Sequence, residues 1–489
     1  MKCSSCGVAN KIDRVPEDRL CMACGNSLIY DSDDFLLHQH NHLVKTVRPG
    51  QVEMARMIER LIATQSAGII EAPVGCHAAG QDILMYSGTV KKVEDVAVGD
   101  YLVGPDGTPR CVQQLHRGRQ EMVDVVPVKG NRWRVNVGHV LTLVETTTGQ
   151  VTDVSVSDFQ RWAKHRRADH KLFRAPATFA KTSRGILPVD PYVLGVLLGD
   201  GGLSTSKGSI TLTSQDPEVV DAVRIYTESL GMVVTNSGIT YRLTRPNELR
   251  GHGKKSPLSK KLVLLGLWPI ACVDRFIPAT YKQAPAAVRV EVLAGLLDTD
   301  GSYAHGCYAY VSKSPTLASD VAFLARTLGF AAYVKVCQKS AHPQHVGTYH
   351  RVCISGKLES IPCRIPRKQA SMRRQKKDVL RTGFTLEPTG TKESFYGFTL
   401  DGDGRYLLGD CTVTHNSGKS FAYGVPAVLS GKRVVISTAK KALQHQLARH
   451  DLPRMATCLE KEGLAVALLK GKSNYGCRMK AIDIPDPDA

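Results

Sequence analysis

The first periodic stretch, residues 50–65 (GQVEMARMIERLIATQ), spaces its apolar side chains three and four positions apart and predicts an amphipathic helix. The short apolar run AGIIEA, residues 67–72, predicts a buried strand that runs into the turn Pro73-Val74-Gly75. Far downstream, a helix-like run ending in AVLSGK precedes a strand (RVVIS, 433–437) and another helix (AKKALQHQLARH, 439–450). That β-α-β-α alternation is of nucleotide-binding α/β type. Two further runs resemble each other, VLGVLLGDGG at 193–202 and VLAGLLDTDGS at 292–302. Both predict short helices with small residues four apart, Gly195/Gly199 and Gly295/Thr299, which lets two helices pack backbone to backbone. Each ends in an Asp, Asp200 or Asp300, whose charge opposes the helix dipole. Two such ends meeting repel each other unless divalent cations sit there.

The turn at 73–75 and the segment Ser417-Gly418-Lys419-Ser420 are halves of one pattern. Joined, they read Ala72-Pro-Val-Gly75-Ser417-Gly418-Lys419-Ser420 after a strand and before a helix, the setting of a P-loop. There backbone N–H groups, including those around Gly75 and Gly418, cradle phosphates; Lys419 reaches the outer phosphates and the Ser420 hydroxyl holds Mg2+. Ala72 stands where the strict pattern has Gly. Residues 76–416, 341 in all, therefore interrupt a single loop.

The ends of this insertion carry specific chemistry. The Cys76 thiol can attack the Gly75 carbonyl and move the upstream chain from nitrogen to sulfur. The Ser417 hydroxyl can then take that acyl group, and the Asn416 side-chain amide can close on its own carbonyl and cut the chain behind itself. His415 adjoins that bond as a proton donor. In this the insertion resembles an intein along its whole length. CHAAGQDILMYSGTVKKVEDVAVGDYLVG, with Cys76 as first nucleophile, is similar to the opening block, and VNVGHVLTL to the second, whose His139 protonates the upstream junction. Asn136 stands where that block usually has Thr. FYGFTLDGDGRYLLGDCTVTHN resembles the closing blocks; Gly397 replaces a usual Asp or Cys, with Asp401, Asp403 and Arg405 as candidate substitutes. Cys411 is read as a buried strand residue, with a redox link to Cys76 as the alternative.

The paired runs resemble the motifs of LAGLIDADG homing endonucleases, which hold two αββαββα halves in one monomeric pseudo-dimer on double-stranded DNA. The resemblance implies that Asp200 and Asp300 bind Mg2+ and activate water to cut the two strands, with a Lys nearby among Lys254, Lys255 and Lys335. Basic residues would track phosphates while sheet side chains read bases. Residues 367–381 hold seven Lys or Arg against one Asp, as a solvated linker face or a phosphate-contacting segment.

Charge and cysteines complete the picture. A net charge of +19 points to a polyanionic partner such as nucleic acid. No secretory signal opens the chain and no apolar run approaches the roughly 20 residues of a membrane helix, so a cytoplasmic protein without membrane contact is expected. Cys3, Cys6, Cys21 and Cys24 form two CxxC pairs spaced for one tetrahedral Zn2+, whereas His38, His40 and His42 read as solvated positions. The flanks resemble the N-terminal part of DinG- and XPD-type DNA helicases. That likeness implies Gln51 as adenine reader, ATP and a DNA substrate for the joined product, and Cys477 as first ligand of a 4Fe-4S cluster completed elsewhere; Cys458 is wrongly placed to substitute.

The expected architecture is multidomain. An all-β Hint splicing domain carries an inserted α+β endonuclease, between α/β P-loop helicase fragments and a small zinc ribbon. The segments are zinc ribbon 1–30, helicase flank 31–75, Hint 76–187, endonuclease 188–385, Hint 386–416 and helicase continuation 417–489. The competing readings are a helicase fragment with a non-splicing regulatory insertion and a splicing element whose nuclease has decayed.

Overall fold

The computed structural model describes residues 49–64, 76–180, 187–204, 210–246, 255–342, 345–372, 375, 377–415 and 452. The chain divides into two compact units, residues 1–72 with 418–489, and residues 73–417. In the first, the described element is the helix Pro49–Thr64, one residue ahead of its expected position, with Ala55 buried. The expected zinc ribbon, P-loop and downstream α/β elements lie outside the described residues.

The second unit opens with strands β1 (His77–Ala78), β2 (Asp82–Leu84), β3 (Val90–Lys92), β4 (Tyr101–Val103) and β5 (Pro109–Pro127). β6 (Trp133–Asn136), β7 (Val140–Glu145), β8 (Val151–Ser155) and β9 (His170–Phe173) follow. The middle carries β10 (Gly201–Gly202), β11 (Ile210–Thr213), β12 (Val233–Ser237) and β13 (Thr240–Thr244). It continues with β14 (Gly301–Ala304), β15 (Cys307–Ser312), β16 (Ala331–His342) and β17 (His345–Ser355). The chain then returns through β18 (Arg381–Thr382), β19 (Phe384–Leu400), β20 (Arg405–Leu407) and β21 (Val413–His415).

The outer parts interlock as sheets. One runs β19-β1-β6-β5-β4, and the other β18-β9-β7-β21-β20 with β8 also on β7. The spine is β5 against β19, antiparallel from Phe384↔Pro127 to Leu400↔Val112. Thus residues separated by the whole middle domain are neighbours in one ladder. Alternation drives this. Arg110, Val112 and Gln114 turn inward on β5 while Pro109 and Gln113 face out. β7 is buried on both faces, as a central strand should be. Ile83, Val123, Leu141, Leu143 and Phe398 fill the core between the sheets. Two short helices, Val156–Arg161 and Lys164–Asp169, interrupt an otherwise β domain.

The middle domain repeats one topology, sheet β10-β11-β13-β12 followed by sheet β14-β15-β17-β16. The first half is αββαββα, with helices Pro191–Asp200, Pro217–Ser229 and Pro257–Leu264. The second uses Ala286–Asp300 and Pro315–Thr327, then closes with the 3-10 turns Leu358–Ser360 and Pro366–Lys368 where a third helix was expected. Pro362 and Pro366 explain the difference, because each removes a donor and clashes inside a helix. Helix starts follow a simple grammar. Asp190, Ser256 and Ser314 cap their helices by accepting from Val193, Ser259 and Leu317 N–H, each ahead of a Pro.

Candidate active sites

β1 lays Cys76 against the end of β6. The Cys76 N–H donates to Asn136 Oδ1 at 2.9 Å, and the Cys76 carbonyl accepts from the Asn136 N–H at 3.1 Å. The Asn136 amide is itself fixed, donating through Nδ2 to Gln120 Oε1. The chain then turns tightly, His139 N–H to Asn136 carbonyl at 3.0 Å, and brings His139 back beside the same junction. His139 Nε2 shares a hydrogen bond with Thr414 Oγ1 at 2.8 Å, and its Nδ1 has no hydrogen-bond partner. Cys76 and the last described residues of the insertion, Thr414 and His415, therefore converge on one turn, residues 136–139. Gly75, Asn416 and Ser417 lie outside the described residues.

Burial sets the charge of this centre. His139 is fully enclosed, and desolvation, reinforced by His77 and His415, holds it well below the ordinary histidine range. His77 is also enclosed. Its ring lies 4.7 Å from that of His139, its Nε2 meets Tyr406 Oη at 2.7 Å, and burial pushes it down to about 3. Both are neutral imidazoles at neutral pH. His415 is buried on β21, with Nε2 3.7 Å from Asp153 Oδ2. That carboxylate accepts from Thr142 Oγ1 and from the Arg405 guanidinium.

The three candidate substitutes for Gly397 separate. Asp401 accepts from Cys111 N–H and Asp403 pairs with the buried Arg110, both bracing the strand pair β4–β5, whereas Arg405 reaches the His415 side through Asp153. Asp153 and His77 went unremarked in the sequence. The former is one Asp in an alternating strand and the latter simply follows Cys76. Cys411, at φ +66 in the turn between β20 and β21, packs with Leu84, Leu407 and Val413, while Cys76 packs with Met122 and Phe395. The two thiols sit in separate clusters and no disulfide joins them.

In the middle domain, the helices Pro191–Asp200 and Ala286–Asp300 touch through their small residues. A Cβ on Gly195 would strike the Val292 carbonyl oxygen, and one on Gly295 that of Tyr192. This contact sets Asp200 and Asp300 side by side. Asp300 is exposed at its rim yet crowded by protein, and burial with the Asp200 charge pushes it up to about 6; burial also raises Asp200. Two basic groups offset the crowded negative helix ends. Arg275 donates to the Leu198, Gly199 and Gly201 carbonyls, and Lys368 to those of Leu297, Asp298 and Thr299. Arg275 carries no motif and was not singled out, and Lys368 was read only as part of the basic run 367–381. Of the lysines that were, Lys335 lies on β16 opposite Arg351, Lys255 offers its carbonyl to Arg245, and Lys254 lies outside the described residues. In the basic run, Arg367 pairs with Asp216 and Arg381 with Asp378.

Among the described residues no three His, Cys, Asp or Glu side chains gather as a metal site. Cys3, Cys6, Cys21, Cys24, Gly418, Lys419, Ser420 and Cys477 lie outside the described residues; Gln51 lies in the helix Pro49–Thr64. No described helix is long and apolar enough to cross a membrane.

Comparison with known proteins adds the following. Residues 76–181 match the family model described as Hom_end-associated Hint, and residues 287–359 that of the LAGLIDADG-like domain. The chain is similar to the ATP-dependent DNA helicase YoaA of Escherichia coli (strain K12), 52% identical over 61 residues, covering 12% of this chain and 9% of that protein. It is similar to the ATP-dependent helicase DinG of Mycobacterium tuberculosis (strain ATCC 25618 / H37Rv), 44% identical over 71 residues, 13% of this chain and 11% of that one. A 26% likeness over 262 residues relates it to the replicative DNA helicase DnaB of Mycobacterium intracellulare, covering 48% of this chain and 39% of that protein. The chain thus spans about a tenth of the length of YoaA and DinG. Among solved structures, the gp41-1 intein is 15% identical, covering 17% of this chain and 59% of its own, with TM-score 0.14. Mesophilic variants of the homing endonuclease I-DmoI are 14% identical, covering 34% and 88%, with TM-score 0.24. A Hint model on residues 76–181, a LAGLIDADG-like model on residues 287–359 and helicase relatives over short stretches together support an intein with an endonuclease domain in a helicase context.

Proposed function

We propose that the chain is a precursor that splices itself, excising residues 76–416 and joining 1–75 to 417–489. The observation that carries this reading is the convergence of Cys76 and Thr414-His415 on the turn 136–139. Asn136 holds the Cys76 N–H, the nitrogen that must leave, so the thiol attacks a Gly75 carbonyl whose amide is gripped on one side. His139, neutral and beside it, takes the proton that the Cys76 thiol sheds and passes it to that nitrogen as the C–N bond breaks and the thioester forms. Ser417 takes the acyl group from sulfur as an ester. Asn416 then closes to a succinimide and frees the Ser417 amine, with His415 as proton donor. That amine displaces its own ester oxygen, and a peptide bond joins Gly75 to Ser417.

The joined product would regain the P-loop through Gly75, Gly418, Lys419 and Ser420, with Gln51 as adenine reader, Zn2+ on Cys3, Cys6, Cys21 and Cys24, and Cys477 as an iron–sulfur ligand in a longer helicase acting on DNA. The excised piece, by our reading, is a site-specific endonuclease for double-stranded DNA. Asp200 and Asp300 fit a divalent cation such as Mg2+: both are hard oxygen donors, and their mutual repulsion is what a cation relieves. Bound there, it supplies Lewis-acid activation of water. The homing endonuclease I-DmoI was solved in complex with DNA and Ca, and with DNA and Mn. The segment boundaries follow the same reading, with β18 returning to the Hint sheets at Arg381, a few residues before 386.

Mass spectrometry of the freshly expressed chain tests it. The expected products are a 341-residue piece and a 148-residue ligated one, while Cys76→Ala with Asn416→Ala leaves all 489 residues joined. A single intact wild-type chain would refute splicing and favour a regulatory insertion.

A further inference from the structure

We propose that Asp153 is the positioning residue for the downstream break, holding charged and oriented the imidazole of His415, the residue that precedes Asn416; this rests on the splicing reading above. Strand register puts the parts together. Asp153 on β8 pairs with Thr142 on β7, while His415 on β21 pairs with Val140 on β7 and Arg405 on β20. Val140 and Thr142 are two apart, so Asp153, Thr142, His415 and Arg405 all project from one face of the sheet. The Asp153 side chain is 1% exposed. A carboxylate so enclosed needs donors, and it has them in Thr142 Oγ1 at 2.8 Å and the Arg405 guanidinium at 2.7 Å. Those two satisfy its oxygens. Its Oδ2 then stands 3.7 Å from His415 Nε2.

Among the described residues the other titratable neighbours do not supply an anion. His139 reaches Thr414 from its turn, His77 lies behind His139, and Tyr406 bonds His77 through its hydroxyl. Arg405 is a cation on β20, directed at Asp153. Asp153 is therefore the negative group that favours the imidazolium of His415. In the step it serves, the Asn416 Nδ2 attacks the Asn416 carbonyl carbon, the bond from that carbon to the Ser417 nitrogen breaks, and His415 gives its proton to the departing nitrogen. The proton shed by Nδ2 returns to His415, so the net change is one proton moved from Nδ2 to the Ser417 amine.

The test uses the full chain in two backgrounds. Cys76→Ala isolates cleavage after residue 416, and Asn416→Ala isolates thiol-induced cleavage after residue 75. Each is followed from pH 5 to 9 with and without Asp153→Asn. The expected result is a ~10-fold or greater loss of downstream cleavage, with its alkaline limb moved to lower pH, because an imidazole without its anion gives up its proton earlier. Upstream cleavage should be unchanged, and Asp153→Glu should restore part of the limb. Equal losses at both junctions, or an unmoved pH profile, would overturn the proposal and make Asp153 a structural residue. Failure of the parent backgrounds to cleave at either junction would instead sink the splicing reading itself.

Discussion

His77 and His139 are enclosed side by side, so each must enter the folded state without its proton. For His77 the folded value lies near 3 against 6.5 unfolded, so between those limits the unfolded chain binds the extra proton. Stability contributed by the neutral imidazole is present above about pH 6.5 and drains away as pH falls toward 3. Each such histidine adds a slope of up to ~1.4 kcal/mol per pH unit. We expect the urea midpoint of an Asn416→Ala, Cys76→Ala precursor to fall steeply below pH 6, and His77→Gln to flatten that fall; an unchanged slope would contradict the assignment. At this scale Cys76 and His139, which the structure brings to one turn, were legible as candidates from their types and spacing. Asp153 was not, since its meaning comes from β7 standing between it and His415.

The two motif helices show how an element can be specified by what it lacks. Gly195 and Gly295 let backbone meet backbone, where nothing can move aside. Gly199 is different, because a Cβ there would meet the Thr299 side chain. Gly199→Ala should therefore destabilise the middle domain by ~1–3 kcal/mol through overpacking, and Thr299→Ala should recover most of it in a double-mutant cycle. Additive losses in denaturant titrations would argue against direct contact. The repeated small-residue spacing made this pairing readable in advance. The capping of both helix ends by Arg275 and Lys368 was hidden, because those residues arrive from turns roughly seventy positions away.

Across the whole molecule, the inserted domain is tied to the sheets by buried cations. Arg289 donates to the Ala177 carbonyl, with its guanidinium over Phe179, and Arg174 joins Asp410 to Tyr333. The insertion is thus one packed body rather than a tethered pair. In the reading proposed above it also divides a phosphate loop, placing 341 residues between Gly75 and Ser417. Continuous backbone N–H groups are what hold phosphates. The uncleaved Cys76→Ala, Asn416→Ala precursor should bind ATP at least ~10-fold more weakly than the ligated product, a loss of about 1.4 kcal/mol, in an equilibrium binding assay. Equal affinities would contradict it.

The sequence by itself determined the paired Asp-ended helices and supplied the break points and nucleophiles we propose, because local residue type, spacing and self-similarity record them. Tertiary structure alone decided which groups serve them: Asn136 on the Cys76 amide, Asp153 facing His415, and Arg275 and Lys368 on the helix ends. These partners lie on strands and turns remote in sequence, and only ladder register and packing make them neighbours.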